Sequence, residues 1–128
     1  YHFKNLMNNN LYNKITIVIV LYEEDLQLIN QCLENIKNFN IIIIDNAGNK
    51  KLKNGIQKKY DISRYILNSK NVGYSKAVNQ GIKLCATEYV FVFQADCLMN
   101  IENIIQKIQR NLRKSNRLQR NRFNCKFL

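Results

Sequence analysis

Four apolar runs punctuate the chain: KITIVIVLY at 14–22, IIII at 41–44, RYIL at 64–67 and YVFVF at 89–93. They are rich in β-branched and aromatic residues with little polar interruption, the pattern of strands covered on both faces. Between them, apolar or small positions recur at three- and four-residue spacing. Leu26, Ile29, Leu33 and Ile36 share one helical face, Leu52, Ile56 and Tyr60 a second, and Ala77, Val78, Gly81, Ile82 and Cys85 a third. Each set gives a helix one apolar stripe. The resulting βαβαβαβ alternation predicts an α/β domain with a mainly parallel sheet and right-handed crossovers. A further stripe, Ile101, Ile104, Ile105, Ile108 and Leu112, predicts another helix that loses its register at Ser115 and Asn116.

The polar residues that interrupt this pattern fall where it matters. Glu23, Glu24 and Asp25 follow the first run, Asp45 and Asn46 the second, and Asp96 lies three residues past Phe93. Ligands of open parallel sheets gather beyond the carboxyl ends of the strands, so the three acidic turns are expected to converge on one edge. A lone carboxylate ending a buried strand is costly without a partner, and a ligand or metal would supply one. The alternative is that Asp and Asn serve there only as turn and cap residues. The turn with Asn71 and Gly73 opens the third helix. Lys76 on that helix reads either as a phosphate contact or as a solvated surface lysine.

In this order and spacing, IVIVLYEED, IIIIDNAGN, NVGYSKAVNQGI and YVFVFQAD resemble the N-terminal half of a family 2 glycosyltransferase of GT-A fold, closest to the rhamnosyltransferase-like branch. The similarity spans roughly residues 14–108, about three quarters of the chain. The pieces are individually weak and specific as an ordered set. Two departures stand out: Tyr22-Glu23 occupies the place where many relatives carry Tyr-Asn, and Gln94-Ala95-Asp96 offers one carboxylate where many carry two or three. The resemblance implies a Rossmann-like α/β/α sandwich, here partial, with the nucleotide-sugar-binding domain at 14–108; residues 1–13 are then an N-terminal extension, and the charge shift and lost helical register make 109–128 a basic tail expected to be poorly ordered.

It also implies roles. Leu21 and Tyr22 would wall the base of a nucleotide-diphosphate sugar, UDP- or dTDP-linked, with Glu23 nearby. Asp45 would accept a hydrogen bond from that base. Asn71 and Gly73 would let the backbone pass close to the nucleotide, and Lys76 would approach the phosphates. Asp96 would hold Mg²⁺ or Mn²⁺ together with the diphosphate oxygens, since hard cations need few protein carboxylates when phosphates supply the rest. The expected acceptor is a saccharide or lipid-linked saccharide of cell-surface polysaccharide synthesis. Inverting transfer requires a general base, and no residue of this chain matches it.

Charge alters the picture at one end. All 9 acidic residues lie before residue 109, whereas Arg110, Arg113, Lys114, Arg117, Arg120, Arg122 and Lys126 follow with none to oppose them, and the whole chain is +11. Only Arg64 represents arginine before that point. The tail reads as a nucleic-acid arm, as a peripheral contact on the anionic inner face of a membrane, or as sequence without a selected role, past a disrupted reading frame. Nucleic acid is the least expected of these partners. A non-catalytic remnant, or a basic module acting through its tail, is the alternative to an enzyme.

Several classes are excluded. His2 is the only histidine, which argues against a zinc centre or a His-based triad. Cys32, Cys85, Cys97 and Cys125 form no C-x-x-C pair, and Cys32 and Cys85 fall on faces expected to be buried, which fits a reduced, cytoplasmic compartment. The longest apolar run is far short of the ~20 residues that span a bilayer. Glycines at 48, 55, 73 and 81 never take the dinucleotide-binding spacing. A phosphoacceptor signalling domain would need an acidic residue after the third strand, where Leu67-Asn68-Ser69 stands.

Overall fold

The computed structural model describes residues 11–95, helical positions 103, 105–107 and 109–111, and the pair 126–127. Strand β1 (Ile15–Leu21) leads through helix α1 (Leu26–Ile36) to β2 (Asn40–Asp45), then through α2 (Lys50–Lys59) to β3 (Arg64–Leu67) and through α3 (Tyr74–Lys83) to β4 (Tyr89–Gln94). A two-residue strand β5 (Lys126–Phe127) completes one sheet of order β3-β2-β1-β4-β5, and every adjacent pair is parallel. The predicted strands and their direction are thus observed.

Side-chain alternation explains the layers. In β1 the odd positions Ile15, Ile17, Ile19 and Leu21 pack with Ile29, Cys32, Leu33 and Ile36 of α1 and Ile56 of α2, whereas Val18 packs with Ala77 of α3 on the opposite face. Two chain crossings run from β1 outward to the edge at β3. The third must return past β2 and β1 to reach β4, and a right-handed crossover in that reversed direction places α3 on the other side of the sheet. The result is a doubly wound α/β/α arrangement whose direction switches between β1 and β4.

Helix limits follow from local chemistry. Asp25 caps α1 by accepting from the Gln27 amide at 3.0 Å, and Asn49 caps α2 by accepting from that of Leu52 at 3.0 Å. Gly81 lies directly against Val18, where a methyl group would overlap the valine. Helix α3 therefore sits close on the sheet. Cys85, expected on a buried helix face, instead follows the end of α3 and is half-buried, because the helix stops at Lys83 and its last amides turn back to Gly81 and Ile82. Ile105 packs on the core, while Ile101, Ile104, Ile108 and Leu112 of the predicted last stripe lie outside the described residues. No described helix is long and apolar enough to cross a membrane.

Candidate functional site

At the switch point, beyond the carboxyl ends of β1 and β4, a cleft of about 330 Å³ opens. Such a volume falls at the lower end of small-ligand sites. Val20, Tyr22 and Glu24 line it from the end of β1, Gln94 and Ala95 from β4, Asn46 from the turn after β2, and Asn71, Gly73 and Tyr74 from the approach to α3. A broader depression of about 820 Å³ runs along the outer face of α1 past Leu26, Asn30 and Glu34. It is shallow, and its lining comes from α1 and the cap residue before it alone, so its polar side chains stand side by side on one helix and do not converge from several elements on a ligand.

Of the residues expected at the site, Tyr22, Asn71 and Gly73 meet in the cleft. Tyr22 is 48% exposed, an unusual state for so large a ring at the end of a buried strand. Gly73 takes φ 89°, a backbone conformation that side chains rarely allow, and its N–H is held by Asn71 Oδ1 at 2.9 Å. It is also the N-cap of α3 and has no side-chain cap, so the first-turn amides of that helix have no side-chain acceptor there.

The others stand elsewhere. Leu21 is buried in the core, and only its backbone takes part, accepting from the Asn46 amide at 2.7 Å. Glu23 is exposed and does not line the cleft; Glu24 does, with its carboxylate accepting from the Tyr22 amide at 2.6 Å. Lys76 is exposed on α3, outside the lining. Asp96 follows Ala95 directly but lies outside the described residues.

Asp45 is the last residue of β2 and not beyond it, and it is fully buried. Its Oδ1 accepts from the Ala47 and Gly48 amides at 2.8 and 3.1 Å, and its Oδ2 from the Tyr65 hydroxyl at 3.1 Å. The carboxylate therefore supports the turn beneath the cleft and does not line it. Burial, then the adjacent Asp45 charge, push the Tyr65 phenol above its ordinary range, so the hydroxyl stays protonated and is the donor.

Asn46 and Glu24, which belong to the polar turns after the first two runs but were given no role there, also line the cleft, as does Tyr74. Asn46 was legible as the second residue past an apolar run. Tyr74, 47% exposed, was legible as an aromatic directly after the helix-opening glycine. Behind the cleft, Asn68 Nδ2 donates to Asn46 Oδ1 at 2.9 Å and to Gln80 Oε1 at 2.8 Å, while Gln80 Nε2 donates back to Asn68 Oδ1 at 3.0 Å. Nothing in the sequence pattern marks that pairing.

Among the described residues no group of three or more His, Cys, Asp or Glu side chains is placed to hold a metal ion. The described donors do not by themselves make a cation site.

A doubly wound parallel sheet with a polar cleft at its switch point defines a Rossmann-like domain of the GT-A kind. The match to the family model of glycosyl transferase family 2 covers residues 16–124, and the chain belongs to that family. Its members use nucleotide-sugar donors and acceptor substrates in general. The match extends past residue 108 into the basic segment. No curated protein shows significant similarity to the chain.

Proposed function

We propose that the cleft binds the nucleotide diphosphate of a sugar donor, UDP- or dTDP-linked, for inverting transfer to a saccharide or lipid-linked acceptor in cell-surface polysaccharide synthesis, in the manner of the rhamnosyltransferase-like branch. The observation that carries this is the position of the cleft, at the switch point between β1 and β4. The exposed Tyr22 ring offers a planar apolar face to the base. The uncapped first turn of α3, opening at Gly73, offers backbone donors and a positive helix end to phosphate oxygens.

In this reading Asn71 and Gly73 shape the backbone beside the phosphates, and Glu24 fixes the main chain at Tyr22. Leu21 contributes its backbone, Glu23 stands near the cleft mouth, and Lys76 adds a cation at longer range. Asp45 acts on the base only indirectly, by holding the turn from which Asn46 reaches the cleft. Asp96 with the diphosphate oxygens holds Mg²⁺ or Mn²⁺. The protein works in the cytoplasm, at or near the inner membrane face.

Calorimetry of the whole chain against UDP and dTDP tests the assignment. Both the intact chain and an Asn38→Ala control, altered after α1 far from the cleft, should bind with Mn²⁺ present. Tyr22→Ala should weaken binding by about 1–2 kcal/mol, the loss of one stacked ring. Equal affinity in the Tyr22→Ala variant, with the fold intact, would remove the cleft from the reading.

A further inference from the structure

The amide chain behind the cleft has a direction. Asn46 Nδ2 donates to the Gly73 carbonyl at 3.4 Å, and a carbonyl can only accept. Asn46 must therefore turn its Oδ1 inward, where it takes one N–H of Asn68; the other N–H of Asn68 goes to Gln80 Oε1, and Gln80 Nε2 closes the pair on Asn68 Oδ1. Reversing any one amide would set acceptor against acceptor or donor against donor. Asn46 and Asn68 are both buried, so water does not readily replace a lost partner. Gly73 is held at both its polar groups, the N–H by Asn71 and the carbonyl by Asn46 and by the Ala77 amide at 3.2 Å.

Gln80 does not line the cleft. It is two turns along α3 from Gly73, and it ties that helix to Asn68 at the end of β3 through two hydrogen bonds. We propose that Gln80 is a positioning residue for the site: through Asn68 and Asn46 it fixes the polarity of the Asn46 amide and holds the turn at Gly73 in place. The consequence for ligand binding rests on the donor reading above; the consequence for the turn does not. The cleft then offers an acceptor-rich ligand such as a diphosphate the amides at the start of α3 and the one Asn46 side-chain N–H that the Gly73 carbonyl does not take.

Two variants of similar length separate polarity from shape. Gln80→Met keeps the side chain's reach and removes both hydrogen bonds. Gln80→Glu keeps an acceptor for Asn68 Nδ2 but opposes Asn68 Oδ1 with a second acceptor. With the full chain labelled with ¹⁵N, both variants should shift or broaden the Asn46 and Asn68 side-chain amides and the Gly73 backbone amide. Gln57→Met, on the exposed face of α2, should leave all three unmoved. Binding of UDP or dTDP with Mn²⁺ should weaken about tenfold in both Gln80 variants, the scale of coupling between groups in one network. Unmoved Asn46 and Gly73 resonances in either folded variant overturn the proposal, as does unchanged nucleotide affinity in a variant that has only lost thermal stability. Failure of both variants to fold also overturns it, since a local relay predicts a local change. If the unaltered chain binds neither nucleotide, the donor reading fails, and the resonances alone decide whether Gln80 sets the turn.

Discussion

Asp45 shows how much one buried carboxylate can organise when its donors are fixed by the backbone. Two of its three partners are amides of the turn that follows it, and the third is the Tyr65 hydroxyl from the neighbouring strand. Tyr65→Phe removes that third donor and leaves a buried oxygen underserved, so stability near neutral pH should fall by about 1–3 kcal/mol. The loss should itself depend on pH. The folded phenol holds its proton above the ordinary 10.0, whereas in the unfolded chain it ionises at that ordinary value. Below pH 10 both states are protonated and the contribution is fully present. Above it the unfolded chain binds fewer protons than the folded one, and the contribution declines as pH rises. Urea denaturation of both proteins at about pH 8 and about pH 11 checks this, because other groups titrate equally in the two. The gap between them should narrow at the higher pH, and a constant gap would show that Tyr65 does not face Asp45 as described.

Among the elements, α3 is held by closeness and α2 is not. At Gly81 an added methyl would overlap Val18, so Gly81→Ala should lift the helix from β1 and cost about 1–3 kcal/mol. Gly55, in α2, has nothing within 4 Å of the place a Cβ would take. Gly55→Ala should therefore stabilise the chain by about 0.5–1 kcal/mol through helix propensity alone. Thermal melts of the two variants should move in opposite directions, and stabilisation by Gly81→Ala would contradict the packing. The elements themselves were legible because each strand is an apolar run and each helix an apolar stripe. β2 begins at Asn40 and ends at Asp45, beyond its isoleucines, because β1 is long enough to pair Thr16 with Asn40 and Leu21 with Asp45. β5 was not legible: two residues carry no period, and their place is set by β4. The lining of the cleft was legible at Tyr22, Asn71 and Gly73, which border the strand and helix ends that form it. It was misjudged where side-chain direction decides it. Asp45 is two residues past Ile43, and period-two alternation turns it to the α1 and α2 face, where Tyr65 meets it. Glu24 lines the cleft and Glu23 does not because the chain bends after β1 at Tyr22 and Glu23 and brings the Glu24 carboxylate back onto the Tyr22 amide.

For the whole molecule, the strand order reconciles a strongly basic chain with a site that carries few described cations. The chain's +11 charge draws polyanions over long range at low salt, yet among the cleft-lining residues none is Lys or Arg, and Glu24 is acidic. In the reading proposed above, a diphosphate is neutralised by backbone dipoles at α3, by Lys76 at longer range and by a divalent cation at Asp96. Nucleotide binding should consequently depend on metal more than on ionic strength. A ligand that binds only the folded chain at about 100 times its dissociation constant stabilises it by about 2.7 kcal/mol, which for a domain of this size raises the melting temperature by roughly 10 °C. With Mn²⁺, UDP or dTDP should produce a rise of that order, and with EDTA a much smaller one. Asp96→Ala should bring the Mn²⁺ value down to the EDTA value while leaving the ligand-free melt near that of the unaltered chain. If the Asp96→Ala chain keeps the full metal-dependent rise, the cation is held by other groups, and the single-carboxylate assignment at the end of β4 is wrong.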